Sequence, residues 1–295
     1  MRTQSMQPYT TLIQAAELRR LLEHGGTPIV ILDASFDLAD PTAGRRAYEE
    51  GHLPGARYVH LDEDLSGTKT GRNGRHPLPS REDFARRAAR LGITPATQVV
   101  VYDRQGASFC ARAWWMLKWL GHDAVAVLDG GVQAWLEAGG TLAREAPMPV
   151  ADEALDPPPY PLRDPRLPWI DVEGLEAALA AGGTQVVDAR APERYRGDVE
   201  PLDPVAGHIP GAVNRFFRDN LAEDGRFRTP EELRAAFQTL LGDRAPADVV
   251  HQCGSGVTAC HNVLAMEVAG LAGSRLYPGS WSEWCADPRR PVAVG

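Results

Sequence analysis

The residue of this sequence with the clearest capacity for chemistry is a cysteine that lies between an apolar run and a glycine-containing loop. Cys253 follows the run 247–252 and precedes Gly254, Ser255 and Gly256. The pattern predicts a strand, a tight loop and a helix, because glycines adopt dihedral angles that other residues avoid. Amide groups of the loop and of the helix N-terminus would then surround and stabilise an anionic sulfur on this side chain. The predicted chemistry is attack by a thiolate, which could afterwards hold a second sulfur atom as a persulfide.

The other three cysteines lack this setting. Cys110 and Cys285 have no comparable loop, and Cys260 belongs to an apolar stripe with helical spacing that predicts a core position: Val257, Cys260, Leu264, Val268, Leu271. The chain contains four cysteines and no CxxC pair, so it has no disulfide framework. Cys260 and His261 would project to different sides of a helix and cannot form an ordered ligand pair. We therefore expect neither a metal site nor a cofactor.

Repetition within the chain predicts how these residues are positioned. Four sequence blocks recur in one order, 149 to 156 residues apart: 30–34 with 186–190, 51–56 with 207–212, 99–103 with 249–253, and 129–135 with 278–284. This repetition indicates duplication of a whole domain. We predict a first domain over 8–146, a proline-rich linker over 147–165 and a second domain over 166–291.

Each half alternates short apolar runs with segments of helical character. The run 97–103 predicts a strand, 110–120 a helix and 124–128 another strand. Such alternation is typical of a parallel sheet that is covered by helices on both faces. The predicted fold class is therefore α/β, with two tandem domains. Ligands bind beyond the carboxyl ends of the strands in such sheets, and Cys253 lies at such an end.

Composition excludes several kinds of partner. The formal net charge of −8 and the isoelectric point near 5.5 argue against a nucleic-acid-binding surface. No stretch approaches the roughly 20 apolar residues of a membrane-spanning helix, and residues 1–10 do not resemble a signal peptide. We expect no membrane association and a cytoplasmic location.

At the level of motifs, the chain resembles the rhodanese family, and within it the 3-mercaptopyruvate sulfurtransferase branch. The segment 253–261, Cys-Gly-Ser-Gly-Val-Thr-Ala-Cys-His, is similar to the active-site loop of that branch. The two Gly-His-(Leu/Ile)-Pro-Gly-Ala blocks and the Gly-Ser-Trp at 279–281 are also similar to the family. The resemblance covers nearly the whole chain and implies two tandem rhodanese-like domains. It further implies that the first domain is a catalytically inactive copy, with Asp103 in place of the cysteine.

The resemblance also implies roles for particular residues. Cys253 would accept the sulfur, while Ser255, His76 and Asp62 would form a relay that handles the proton of the leaving pyruvate enolate. Arg194 would bind the substrate carboxylate, and the remaining loop positions would contact the substrate: Gly254, Gly256, Val257, Thr258. Without the resemblance, His76 would be an ordinary loop histidine and Asp62 a turn or capping residue.

The sulfur donor stays open between 3-mercaptopyruvate and thiosulfate. Thiosulfate-type loops carry cationic side chains directly after the cysteine, whereas Gly254 and Ser255 are neutral, which favours mercaptopyruvate. Against it, Asp203 stands where the mercaptopyruvate pattern has a second arginine, and Arg196 is the candidate substitute. The expected acceptor is a thiol or cyanide, with thioredoxin as one candidate.

Two other classes of protein are alternatives to a sulfurtransferase for this sequence. A cysteine phosphatase would carry an arginine six positions after the cysteine, where this chain has Ala259. A non-catalytic sulfur carrier or docking protein would take up sulfur without releasing pyruvate or sulfite.

Overall fold

The first half of the chain folds around a five-stranded parallel sheet with the strand order β1-β5-β4-β2-β3. The computed structural model describes residues 7–145 and 157–295. The strands are β1 (Leu12–Ile13), β2 (Ile29–Asp33), β3 (Arg57–Tyr58), β4 (Gln98–Tyr102) and β5 (Val125–Leu128). The helices are α1 (Ala15–His24), α2 (Ala43–Glu50), α3 (Arg81–Arg90), α4 (Cys110–Leu120) and α5 (Gly131–Glu137). The strands and helix predicted over 97–128 are confirmed to within one or two residues.

The second half repeats this arrangement around a four-stranded parallel sheet with the order β7-β6-β8-β9. Its strands are β6 (Gln185–Asp188), β7 (Val213–Asn214), β8 (Val249–Gln252) and β9 (Arg275–Leu276). Its helices are α6 (Val172–Ala181), α7 (Pro192–Arg196), α8 (Pro230–Leu241), α9 (Ala259–Val268) and α10 (Ser280–Trp284). Trp169 forms an isolated parallel bridge with Leu276, in the place that β1 holds beside β5. The predicted pair of α/β domains with parallel sheets is confirmed.

Helices cover both faces of each sheet. In β4, Val99 and Val101 pack into one hydrophobic cluster, whereas Val100 and Tyr102 pack into another on the opposite side. Strand β8 divides its side chains in the same way. Successive side chains of a strand point to opposite faces, so strands that are apolar throughout require cover on both sides.

One hydrophobic cluster runs through both domains, because α4 of the first packs against α9 of the second. Helix α9 is buried around its circumference from Ala259 to Met266 rather than along a single stripe. It ends at Val268, so the prediction that Leu271 continues it was wrong. Gly270 adopts a φ of 68°, which turns the chain away from the helix axis.

The predicted linker is described only from residue 157 onward, and 147–156 lie outside the described residues. Its later part follows the surface of the first domain, where the Tyr160 amide donates to the Ala85 carbonyl at 3.1 Å. The boundaries of the two domains and the linker stay predictions. Among the described residues, no helix is both long and apolar enough to cross a membrane.

Candidate active site

Cys253 lies directly after β8, at the floor of a cleft of about 400 Å³ that residues of both domains line. Its side chain borders the hydrophobic cluster on one side and the cleft on the other, and only 2% of the residue is exposed. The Cys253 amide donates to Ser280 Oγ at 3.1 Å, and the Cys253 carbonyl accepts from the Trp281 amide at 3.0 Å. Contacts with the start of α10 therefore hold the cysteine backbone at the strand end.

The first domain shows what such a loop can bind. Asp103, in the position of the cysteine, accepts four backbone N–H groups: Gln105 and Ala107 at 2.9 Å on Oδ1, Phe109 at 2.8 Å and Cys110 at 3.0 Å on Oδ2. Burial nevertheless raises the pKa of the Asp103 carboxyl, while these hydrogen bonds lower it. The loop is an amide nest that encloses two adjacent acceptor atoms.

The corresponding loop of the second domain keeps the main turn of this nest. Gly256 has a φ of 76°, close to the 65° of Gly106 in the first domain. A Cβ on Gly256 would lie 2.1 Å from the Pro278 carbonyl oxygen, so only glycine fits there. In the part of the chain that the structure describes, the amides of Ser255, Val257 and Thr258 have no protein acceptor. These N–H groups are therefore available to a ligand.

Ser255 joins a chain of polar groups that comes from the first domain. His76 Nδ1 lies 2.7 Å from Ser255 Oγ, and His76 Nε2 lies 3.6 Å from Asp62 Oδ1. The carboxylate beside Nε2 favours the proton on that nitrogen, so Nδ1 accepts the hydrogen bond from the Ser255 hydroxyl. Lys69 Nζ donates to Asp62 Oδ1 at 2.7 Å. The structure thus brings together the three residues that the sequence grouped.

The electrostatic state of this chain follows from its burial. Burial lowers the pKa of His76 to about 3, against a smaller opposite effect of the Asp62 charge. Although burial alone would raise the pKa of Asp62, the hydrogen bond from Lys69 and the nearby His76 lower it overall. At neutral pH the chain therefore consists of a hydroxyl, a neutral imidazole and a carboxylate.

Arginine side chains line the same cleft above the loop. Arg194 donates to Glu200 through three hydrogen bonds of 2.7, 2.9 and 3.3 Å and lies 3.5 Å from Asp203. Arg190 is almost fully buried against Asp188, at 2.7 Å. Arg196 does not line the cleft and pairs with Asp198 on the surface. The structure places Arg194 at the cleft as predicted, but not the proposed substitute Arg196.

Sequence reasoning missed two arginines at this site. Arg75, from the first domain, donates from Nε to Asp203 Oδ1 at 2.9 Å across the domain boundary. Arg112, fully buried on α4, donates at 3.0 Å to the carbonyls of both Gly256 and His76. The sequence does contain an indication for Arg112, since it is a charged residue in the apolar first turn of a tryptophan-rich helix. A contact between residues 75 and 203 has no comparable local signature.

The remaining cysteines occupy core positions. Cys260 is buried, its Sγ donates to the Gly256 carbonyl at 3.3 Å, and burial raises its pKa to about 12. Burial also raises the pKa of Cys110 far above its ordinary value and that of Cys285 to about 11. The prediction that Cys260 is a core residue is confirmed.

Comparison with known proteins agrees with this geometry. The family model "Rhodanese-like domain" matches residues 14–138 and 171–287. The chain belongs to the rhodanese family and is a sulfurtransferase.

Its relatives include both 3-mercaptopyruvate and thiosulfate sulfurtransferases. It is 47% identical, over 90% of this chain and 93% of the relative, to a Pseudomonas aeruginosa protein described as a probable 3-mercaptopyruvate sulfurtransferase. It is 35% identical to the rat thiosulfate sulfurtransferase, over 97% of this chain and 96% of that protein. The solved 3-mercaptopyruvate sulfurtransferase of Leishmania major superposes with a TM-score of 0.81 at 29% identity, covering 97% of this chain and 76% of that one.

Proposed function

We propose that this enzyme transfers sulfur from 3-mercaptopyruvate, through a persulfide on Cys253, to a thiol or cyanide. The observation that carries the choice of donor is the 2.7 Å contact between Ser255 and His76, which brings a proton relay of the first domain to the cysteine loop of the second. Mercaptopyruvate requires such a relay because its carbon leaving group must gain a proton. Sulfite, which leaves from thiosulfate, requires none.

The backbone hydrogen bonds around Asp103 support the proposed persulfide on Cys253. Each carboxylate oxygen of aspartate is two bonds from Cβ, as is the outer sulfur of a cysteine persulfide. Four amides converge on the carboxylate oxygens of Asp103. By the repeat offset between Asp103 and Cys253, two of them correspond to the amides of Ser255 and Val257, which have no protein acceptor and would bind the outer, anionic sulfur. The amide of Cys260, which corresponds to that of Cys110, donates to the Val257 carbonyl instead.

The first half-reaction balances without an external proton. The Cys253 thiolate attacks the sulfur of mercaptopyruvate, an S–S bond forms, the C–S bond breaks, and its electron pair becomes the pyruvate enolate. Burial holds the pKa of His76 at about 3, so the imidazole carries no spare proton at neutral pH. The proton of the substrate thiol therefore moves to the enolate carbon through Ser255, and the outer sulfur remains as an anion.

The second half-reaction restores the enzyme. A thiolate or cyanide attacks the outer sulfur, the S–S bond breaks, and its electron pair returns to Cys253. This order makes the enzyme a two-step catalyst with ping-pong kinetics. We propose a dithiol protein such as thioredoxin as one acceptor. We also propose the cytoplasm as compartment, since all four cysteines are free thiols, as in a reducing environment.

The test compares kcat/KM for mercaptopyruvate and thiosulfate in the native enzyme and in Ser255→Ala. The variant should lose about 100-fold or more with mercaptopyruvate, as is typical for removal of a proton-transfer group, and much less with thiosulfate. Ser108→Ala is the matched control, because this serine also lines the cleft but is bound to the Gln105 carbonyl at 2.6 Å.

Other outcomes would contradict the proposal. Equal losses with both donors would remove the argument for mercaptopyruvate. A native protein that takes up sulfur but releases neither pyruvate nor sulfite would be a carrier.

A further inference from the structure

One buried guanidinium on α4 donates to the backbone of both domains. Arg112 Nη1 donates at 3.0 Å to the carbonyl of Gly256, in the cysteine loop of the second domain. Its Nη2 donates at 3.0 Å to the carbonyl of His76 and at 3.4 Å to that of Leu65, both in the first domain. A single side chain therefore joins three backbone segments.

The three acceptors lie beside the residues of the proton relay. One belongs to the residue that follows Ser255, one to His76 itself, and one to a residue three positions after Asp62. The 2.7 Å contact between Ser255 Oγ and His76 Nδ1 spans the two domains, so it depends on how these segments are held relative to each other. A hydrogen bond requires a donor–acceptor distance near 3 Å, so a shift of about 1 Å between the segments would break it.

Stability alone does not account for an arginine at this position. Arg112 is completely buried, and no carboxylate of the described residues forms an ion pair with it. Burial lowers the pKa of its guanidinium, against smaller opposite effects of Cys260 and Cys253. Its Nε has no hydrogen-bond partner in the described part of the chain. Burial of a charge without an opposite charge costs free energy, so an apolar side chain of similar size would cost less here.

We propose that Arg112 is a positioning residue of the proton relay, which holds the cysteine loop and the His76 segment at the separation that lets Ser255 donate to His76. It acts from behind the loop and does not line the cleft in which the donor would bind. This inference rests on the proposed function only in assigning proton transfer to the relay.

Nitrogen NMR of the histidine side chains tests the contact without turnover. In protein that carries isotopically labelled histidine, the signal of His76 Nδ1 reports whether this nitrogen accepts a hydrogen bond. His76→Gln assigns the signal by its disappearance, and Ser255→Ala gives its position without the hydrogen bond. Arg112→Gln and Arg112→Lys should both move the signal from the native position toward that of Ser255→Ala.

The two variants separate the geometry of the guanidinium from its charge. Arg112→Lys keeps a buried positive charge but presents one terminal nitrogen in place of two, whereas Arg112→Gln removes the charge together with its burial cost. Either variant that folds therefore tests the contact. Lys118→Gln is the matched control, since Lys118 is the other buried cation of α4 and binds Asp123 at 2.6 Å. It should leave the His76 signal at its native position.

Steady-state kinetics shows whether the contact matters for the reaction. We expect Arg112→Gln to lose about 10- to 100-fold in kcat with mercaptopyruvate, because small displacements of a catalytic group have effects of this size. KM should change little, and the loss with thiosulfate should be much smaller. Combined with Ser255→Ala, it should lose no more than about threefold beyond Ser255→Ala alone, because both changes break one contact.

A merely structural arginine would give another pattern. Its replacement would lower the unfolding temperature, reduce turnover of both donors alike, and multiply with the loss in Ser255→Ala. That result would overturn the inference.

The two proposals fail in different ways. If the His76 signal stays at its native position in the folded variants of Arg112, the positioning role is refuted and the proposed function stands. If the signal moves as expected but Ser255→Ala loses equally with both donors, Arg112 holds the contact and the proposed choice of donor is refuted.

Discussion

Acid should destabilise this protein steeply, because three buried histidines are neutral in the folded state. Burial lowers the pKa of His76, His251 and His261 to about 3 each. In the unfolded chain these groups have a pKa near 6.5, so the unfolded state binds more protons between pH 3 and 6.5. Stability contributed by their neutral form is thus present above pH 6.5 and is lost as the pH falls.

The magnitude follows from proton linkage. Between pH 7 and 5.5 each such histidine costs about 1.2 kcal/mol, so the three together lower the free energy of unfolding by about 4 kcal/mol. Burial also lowers the pKa of His122, which adds to this loss. Carboxyls whose pKa is raised by burial, such as Asp64 and Asp129, act in the opposite direction. Single histidine variants therefore assign the histidine contribution.

Urea unfolding at pH 7.0, 6.25 and 5.5 measures this loss. His251→Gln should remove about 1.2 kcal/mol of this loss, whereas His24→Gln, at an exposed position, should leave it unchanged. If His251→Gln and the native protein lost the same free energy of unfolding over this range, the assignment of a neutral buried His251 would be refuted.

Two further predictions concern the cysteine and its counterpart in the first domain. Cys253→Ser should abolish pyruvate release, whereas Cys260→Ser should retain it and lower only the unfolding temperature. An inactive but stable Cys260→Ser protein would contradict the core assignment. Asp103→Asn places an amide NH₂ against backbone N–H donors and should cost about 1–3 kcal/mol in urea unfolding. Its kcat/KM should stay within about threefold of the native value, and a much larger loss would show that the first loop takes part in catalysis.

The parts of this structure that depend on local pattern could be predicted from the sequence. The strand, loop and helix around Cys253 follow from apolar runs and glycines that are neighbours in the chain, and the doubled sheets follow from the repeated blocks. The grouping of His76 and Asp62 with Ser255 needed the family resemblance, because residues 76 and 255 are 179 positions apart.

The parts that depend on contacts between the domains could not be predicted. Asp203 was interpreted only as a missing arginine, since its partner Arg75 lies 128 positions earlier. Helix α9 was expected to bury one stripe, but it lies between two other helices and is buried on all sides. Periodicity within one segment shows which side chains avoid water, not how many neighbours surround them.

The placement of Asp62 and His76 has a consequence for how the two repeats can change. If the first domain has no nucleophile of its own and supplies the proton relay of Cys253, as proposed, then neither half would retain a complete reaction centre after separation: one would lack the thiol, and the other the partners of Ser255. On that proposal the two repeats are useful only when they are inherited together, and selection acts on substitutions at Asp62 and His76 as it does on those beside Cys253.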